Sequence, residues 1–125
     1  MTNKAMPLVS IAMATYNGEK YLSKQIDSLV NQSYKNIEIV VVDDCSSDDT
    51  INILETYEKN FPFIHIHKQP SNNGVTKTFN NAINLCKGKY IATCDQDDIW
   101  ELNKIEILVN AIEEGKEDAV HQELH

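Results

Sequence analysis

The chain contains few basic residues: 11 Lys and Arg stand against 19 Asp and Glu in 125 residues, which gives a formal net charge of -8. A chain of this composition lacks the positive surface with which proteins bind nucleic acid or an anionic membrane. It would also repel a phosphate ligand unless a metal ion neutralised the ligand and the clustered Asp residues together. We therefore expect no nucleic-acid partner, and we expect a divalent cation wherever this chain binds a phosphate.

The sequence also shows no cysteines at motif spacing, no stretch that resembles a signal peptide and no long apolar run. Its three cysteines, Cys45, Cys86 and Cys94, are an odd number without C-x-x-C spacing, and the N-terminus does not resemble a signal peptide. Both features favour a cytoplasmic location, where thiols stay reduced. No apolar run is long enough to span a bilayer, so a position at the inner face of the membrane would require peripheral contact or a partner. We interpret Cys86 and Cys94 as core residues and Cys45 as a loop thiol.

The length suits one domain, and the hydrophobic pattern predicts that residues 7–115 form it between polar tails at 1–6 and 116–125. Runs of β-branched and aliphatic residues alternate with segments of helical periodicity. They predict strands at 8–14, 37–42, 63–67 and 90–94, and helices at about 18–31, 49–60, 75–86 and 101–112. This alternation is typical of an α/β fold with a mostly parallel sheet in the order 3-2-1-4 and helices on both faces.

Helical spacing predicts which side of each helix is buried. The first helix would bury Leu22, Ile26, Leu29 and Val30 and expose Lys20, Lys24 and Gln25. The third would bury Val75, Phe79, Ala82, Ile83 and Cys86, and the fourth Leu102, Ile105, Leu108, Val109 and Ile112. Short polar residues favour helix starts, which predicts N-caps at Asn17 or Gly18 and at Ser46 or Ser47, the second helped by Asp48 and Asp49.

Polar clusters follow three of the four predicted strands. They are Thr15-Tyr16-Asn17, Asp43-Asp44 and Asp95-Gln96-Asp97-Asp98. In a doubly wound sheet, ligands bind outside the carboxyl ends of the strands, at the point where the strand order reverses. The three clusters are therefore predicted to meet in one crevice.

The last cluster is a candidate metal site. If the chain stays extended beyond Cys94, side-chain alternation places Asp95 and Asp97 on one side and Gln96 and Asp98 on the other. Two carboxylates with water and substrate phosphates are a common set of ligands for Mg²⁺. The alternative is a solvated acidic loop ahead of the last helix. His65 and His67 also share a face of one strand, but they have no third ligand nearby and fit an exposed edge strand better.

The combination of motifs resembles family 2 glycosyltransferases of the GT-A fold. The resemblance extends over residues 7–112 and rests on four motifs taken in order: Val9-Ser10-Ile11 through Tyr16-Asn17, Asp43-Asp44, Asn73-Gly74 with Asn80, and Asp95-Gln96-Asp97-Asp98. The segment from Cys94 to Trp100 is similar to the rhamnosyltransferase branch of that family.

The resemblance implies a GT-A nucleotide-diphospho-sugar-binding half with a Rossmann-like sheet. A UDP- or dTDP-sugar would be the donor, Mg²⁺ or Mn²⁺ the cofactor, and a glycan or lipid-linked molecule the acceptor. Residue by residue, it implies a base and ribose pocket at Thr15, Tyr16 and Asn17, a bond from Asp44 to the pyrimidine ring, and a ribose contact at Gln96. It further implies metal ligation by Asp97 with Asp95, which also belongs to the donor site, and contact between Lys77 and the diphosphate.

One part of the family pattern has no counterpart in the sequence. Inverting members take a carboxylate general base from a later region that also holds the acceptor, and no residue after Asp98 can be assigned to it. The catalytic residues are therefore unknown, and the chain is expected to be a donor-binding half without transfer activity by itself. We also expect a two-fold dimer through the edge of the fourth strand.

Three other functions share some of these features. One is a non-catalytic module that binds nucleotide sugars. A haloacid-dehalogenase-type phosphatase would explain an Asp-x-Asp after a strand, but it requires further downstream residues. A receiver domain would match the size, but its acidic residues belong at other strand ends.

Overall fold

Hydrophobic runs form the strands, and amphipathic segments form the helices between them. The computed structural model describes residues 6–115. In chain order the elements are β1 (Val9–Thr15), α1 (Leu22–Val30), β2 (Ile37–Asp43), α2 (Thr50–Asn60), β3 (Ile64–Lys68), α3 (Val75–Leu85), β4 (Tyr90–Cys94) and α4 (Lys104–Glu113). The predicted alternation of four strands and four helices is confirmed. Both predicted tails lie outside the described residues, apart from position 6.

The four strands form one parallel sheet in the order β3-β2-β1-β4, as predicted. Every residue of β1 and β2 is buried, whereas β3 and β4 are partly exposed. Strands without a polar face require cover on both sides, so β1 and β2 occupy the centre. In the register Thr15 pairs with Asp43, which brings the carboxyl ends of the central strands level.

Helices cover both faces of the sheet. On one face, side chains of β1 and β2 such as Ile11 and Ile39 pack with residues of α1, α2 and α4. On the other face, Ala12 and Val40 pack against Ala82 of α3. Full burial of one such aliphatic side chain contributes about 1.5–3 kcal/mol, so these contacts hold the helices to the sheet.

Three side chains do not lie where helical periodicity predicted. Gln25 is 1% exposed rather than on the outer face of α1, because its side chain bonds to the end of β4. Val75 is the first residue of α3 and is 66% exposed, since it lies beside a cleft rather than over the sheet. Leu102 is 57% exposed because it precedes α4, which begins at Lys104.

The N-caps predicted at Asn17 or Gly18 and at Ser46 or Ser47 were also wrong, whereas Asp49, which was predicted to help cap the second helix, does lie at its cap position. Tyr21 and Asp49 occupy the cap positions of α1 and α2, and neither makes a side-chain capping bond. The polar residues proposed as caps bond between the two loops instead, since the amide of Asn17 donates to Ser46 Oγ at 2.9 Å. Asp48 does serve the start of α2, because its Oδ1 accepts from the amide of Thr50 at 2.9 Å.

A buried polar network joins the strands at the amino end of the sheet. Ser10 Oγ and the amide of Lys87 both donate to Glu38 Oε2, at 2.5 and 2.6 Å, and the amide of Gly88 donates to Ser10 Oγ at 2.7 Å. A Cβ added at Gly88 would lie 2.7 Å from the carbonyl oxygen of Leu8. No sequence signal indicated this network, which fixes the start of β4 against β1.

β4 is an edge strand with β1 as its one neighbour in the described sheet. Ile91 on this strand is 36% exposed. Among residues 6–115, no helix has the length and apolar character needed to cross a membrane.

Candidate functional site

The carboxyl ends of the strands open into a cleft of about 270 Å³. Its walls come from β1 and the residue after it, from the first residue after β2, from the segment that leads into α3, and from the loop after β4. The lining residues are Ala14, Thr15, Tyr16, Asp44, Asn72, Gly74, Val75, Thr78 and Gln96. Four residues singled out from the sequence, namely Thr15, Tyr16, Asp44 and Gln96, therefore lie in one cleft.

Asp44 holds the segment before α3 through its buried carboxylate. Oδ1 accepts from the amide of Asn73 at 2.6 Å and from Gln69 Nε2 at 2.8 Å, and Oδ2 accepts from the amide of Gly74 at 3.0 Å. Gly74 has φ 90° and ψ 159°, a backbone conformation that residues with a Cβ rarely adopt. Asp44 thus fixes one wall of the cleft as well as lining it.

Gln69 follows β3 and connects Asp44 to α3. Its Nε2 also donates to Thr78 Oγ1 at 3.0 Å, and its Oε1 accepts from Asn81 Nδ2 at 2.6 Å. The backbone amide of Gln69 donates to the carbonyl oxygen of Asp43 at 2.9 Å. Gln69 was not recognisable as a site residue from the sequence, because a lone glutamine after a strand carries no motif.

Asp43, the first acid of the pair, is buried and structural. Its Oδ1 accepts from Thr15 Oγ1 at 2.7 Å and from Ser46 Oγ at 2.7 Å, and its Oδ2 accepts from the amide of Ser46 at 2.8 Å. These bonds join the ends of β1 and β2 and shape the loop that follows. The Thr15 hydroxyl proton is therefore committed to Asp43.

Asn17 and Lys77 are absent from the cleft lining. Asn17 has φ 49°, and its Oδ1 accepts from the amides of Ser47 and Asp48 at 2.8 and 3.3 Å. Its side chain joins two loops beside the cleft. Lys77 is an exposed residue of α3.

The acidic cluster forms a turn. β4 ends at Cys94, the amide of Asp98 donates to the carbonyl oxygen of Asp95 at 3.1 Å, and Asp97 has φ 60°. The expectation of extended geometry with Asp95 and Asp97 on one side was therefore wrong. All four residues from 95 to 98 are exposed, which suits contact with solvent or with a bound ion.

Two side chains of the α1 region hold this turn in place. Gln25 Nε2 donates to the carbonyl oxygen of Asp95 at 2.6 Å, and the Tyr21 hydroxyl bonds to the side-chain amide of Gln96. Beneath the turn, Cys94 is fully buried, and this burial raises the pKa of its thiol to about 12. A thiol in that state is inert as a metal ligand or nucleophile at neutral pH.

The segment between the acidic turn and α4 is also anchored to α1. The amide of Trp100 donates to Ser28 Oγ at 3.1 Å, and Lys104 Nζ lies 4.7 Å from the centre of the Trp100 ring. Gln32 donates to the carbonyl oxygen of Glu101 at 2.6 Å and accepts from the amide of Ile105 at 3.0 Å. The acidic turn is therefore held on both sides.

The carboxylates of the turn fit an open metal site rather than a closed one. Within residues 6–115, no group of three or more His, Cys, Asp and Glu residues is arranged to hold a metal ion. Mg²⁺ is usually bound by one or two carboxylates together with water and substrate phosphates. The turn offers that partial set of ligands.

The sequence profile described as Glycosyl transferase family 2 matches residues 10–124. The chain belongs to this family. The resemblance to family 2 glycosyltransferases is thus confirmed, and solved structures that share the fold are GT-A glycosyltransferases.

Relatives in this family are considerably longer than the chain. The chondroitin synthase of Escherichia coli is 37% identical over 109 residues, which cover 87% of this chain and 16% of that protein. The glycosyltransferase GlyG of Streptococcus pneumoniae is 34% identical over 113 residues, which cover 90% of this chain and 38% of GlyG. The chain therefore spans well under half the length of these relatives.

The crystal structure of residues 1–349 of S. aureus TarS in complex with UDP has the same fold. Its TM-score is 0.79 at 31% identity, and the match covers 85% of this chain and 32% of the TarS chain. This family 2 chain thus corresponds in fold to about a third of that structure.

Proposed function

We propose that the chain binds a nucleoside-diphosphate sugar in the cleft and is the donor-binding part of a glycosyltransferase that acts on a glycan or lipid-linked acceptor. The observation that carries the proposal is the position of Thr15, Tyr16, Asp44 and Gln96 in one cleft at the carboxyl ends of the strands. The complex of TarS with UDP supports the same ligand class.

The nucleobase is assigned to the part of the cleft between Tyr16, Asp44 and Val75. Tyr16 is 43% exposed and Val75 is more exposed still, so both offer apolar surface to a flat ring. The Asp44 carboxylate accepts hydrogen bonds, which suits the ring N–H of uracil or thymine. Gln96, after β4, is assigned to the ribose.

The diphosphate is assigned to the acidic turn through Mg²⁺ or Mn²⁺ held by Asp95 and Asp97. When bound, the ion would stabilise negative charge on the departing nucleoside diphosphate. The protein's own contribution is to present this turn rigidly, through the bond from Gln25 to Asp95. Asn17 would act by shaping the loop beside the cleft, and Lys77 would reach the diphosphate from the surface of α3.

Calorimetric titration tests this assignment. UDP and dTDP should bind, and omission of Mn²⁺ should weaken both, whereas uridine without phosphates should bind equally with and without the ion. Absence of heat with every nucleotide would refute the proposal, and metal-independent binding would refute the assignment to the acidic turn.

Transfer itself is a separate proposal. The resemblance places the general base of an inverting reaction in a later region, so the 125-residue chain should bind a donor without transferring its sugar. Incubation with UDP- and dTDP-sugars, including dTDP-rhamnose for the rhamnosyltransferase branch, followed by chromatography of the nucleotides, measures this. Release of nucleoside diphosphate in the presence of an acceptor would contradict it.

A further inference from the structure

We propose that Gln69 is a positioning residue for nucleobase selection, because its side-chain amide fixes the Asp44 carboxylate with one acceptor position left for a ligand. This rests on the proposed function, in which the cleft holds the nucleobase. Gln69 is half-buried outside the cleft lining, so it would act through Asp44 rather than touch the base.

The number of acceptor positions on Asp44 decides what the cleft can bind. A carboxylate offers about four such positions, two on each oxygen. On Asp44, Gln69 and Asn73 occupy Oδ1, and Gly74 bonds to Oδ2. One position on Oδ2 remains for a donor in the cleft.

The orientation of the Gln69 amide is fixed by its other partners. Nε2 donates to both Asp44 Oδ1 and Thr78 Oγ1, and Oε1 accepts from Asn81 Nδ2. A flipped amide would set Oε1 against the Asp44 carboxylate and Nε2 against the Asn81 amide, which replaces two attractive contacts with two repulsive ones. The network therefore holds Asp44 in one rotamer.

This geometry selects bases by their hydrogen-bond donors. The open position on Asp44 can accept the N–H of uracil, thymine or guanine. Cytosine and adenine carry an acceptor at the equivalent ring nitrogen, and a carboxylate opposite that nitrogen leaves two acceptors facing each other. Selection should therefore favour bases with a ring N–H, and it should depend on Gln69 although Gln69 does not contact the base.

The test compares the affinities of UDP and CDP, both measured with Mn²⁺, in the wild type and in Gln69→Leu. Wild type should bind UDP more tightly than CDP. Gln69→Leu should reduce the ratio of the UDP affinity to the CDP affinity about tenfold, because the affinity for UDP falls while the affinity for CDP does not change. This is the size expected for a displaced hydrogen bond to a charged group. Loss of a merely structural contact would instead lower the affinities for UDP and CDP by the same factor.

A second variant and a control complete the design. Asn81→Leu, which frees Gln69 Oε1, should lower the ratio by a smaller factor, and it serves as the test if Gln69→Leu does not fold. Asn84→Leu changes an exposed amide one turn further along α3 and should leave the ratio unchanged. An unchanged ratio in Gln69→Leu and Asn81→Leu, or equal weakening of UDP and CDP, would overturn the role of Gln69 alone. Failure of the wild type to bind any nucleotide would overturn the proposed function with it.

Discussion

Gln25, in the middle of α1, donates a hydrogen bond of 2.6 Å to the carbonyl oxygen of Asp95, the first residue after β4. The two residues are 70 positions apart in the chain. Because Gln25 is buried and its Nε2 also lies 3.3 Å from Cys94 Sγ, this contact connects the core to the acidic turn.

Gln25→Leu should lower the free energy of unfolding by about 0.5–1.5 kcal/mol, because it removes the hydrogen bond from a buried side chain to the partly buried carbonyl oxygen of Asp95 and leaves the side-chain volume nearly unchanged. Denaturant unfolding measures the loss. Lys24→Leu, at an exposed neighbouring position, is the control and should change stability by less than about 0.5 kcal/mol. Equal effects of the two variants would show that the bond to Asp95 contributes nothing of its own.

Asp97→Asn should weaken nucleotide binding in the presence of Mn²⁺ at least about tenfold, as expected when a charged ligand contact is lost. Asn tolerates the left-handed backbone at φ 60°, so the turn should persist. The melting temperature without metal should stay the same or rise, since one of several like charges is removed. A steep fall in melting temperature would show that Asp97 is structural. An identical loss of nucleotide binding in Asp98→Asn would show that Asp97 is not the specific metal ligand.

Cys45→Gly should stabilise the fold by up to about 1 kcal/mol. Cys45 has φ 64°, which costs a residue with a Cβ about 1–2 kcal/mol, and the greater entropy of glycine in the unfolded chain offsets part of the gain. Thermal unfolding in reducing buffer measures the change. Cys45→Ala removes the thiol but retains the Cβ, and it should show no gain. A lower melting temperature for Cys45→Gly would contradict the role of backbone strain.

The Cys94 thiol should make stability fall at alkaline pH. Burial raises its pKa in the fold from 9.0 to about 12, so the unfolded chain releases this proton first. The contribution of the protonated Cys94 thiol to the free energy of unfolding is therefore complete below pH 9. It is lost as the pH rises towards 12, at up to about 1.4 kcal/mol per pH unit for one proton. Denaturant unfolding of wild type and Cys94→Ala over this range should show the steeper decline in the wild type. Parallel curves would contradict the prediction.

The exposed edge of β4 should pair with a second copy of the chain. An edge strand carries free backbone groups, and Ile91 adds apolar surface to it, so a two-fold dimer is the expected closed assembly. Sedimentation should show a dimer in the wild type and a monomer in Ile91→Lys. Ile107→Lys changes an exposed residue of α4 and should remain dimeric. A wild-type chain that sediments as a monomer would refute the prediction.

Local patterns were sufficient to predict the fold. The mostly apolar runs of β1 and β2 predicted central positions in the sheet, and the alternation with helices predicted a parallel sheet. The same reasoning brought Thr15, Asp44 and Gln96 together, because the carboxyl ends of parallel strands lie at one edge.

Details that depend on distant partners could not be predicted in this way. Helical spacing alone predicted that Gln25 lies on the surface. That pattern takes no account of a hydrogen-bond partner from another part of the chain, and the partner of Gln25 is Asp95. The extended alternation assumed for Asp95 and Asp97 ended at Cys94, where the bond from Asp98 to Asp95 closes a turn. No local pattern marks Gln69, whose role arises from bonds to Asp44 and to α3.

The conformation of Gly74 has a stereochemical consequence. Its dihedral angles, φ 90° and ψ 159°, lie in a region that is nearly restricted to glycine among L-residues, and a D-residue, whose allowed regions are mirror images, tolerates a positive φ better than an L-residue does. A chain assembled by chemical ligation with D-alanine at position 74 should therefore retain the two hydrogen bonds that the backbone amides of residues 73 and 74 donate to Asp44. L-alanine at the same position should break them. The handedness of a single Cα would then decide whether this wall of the cleft forms.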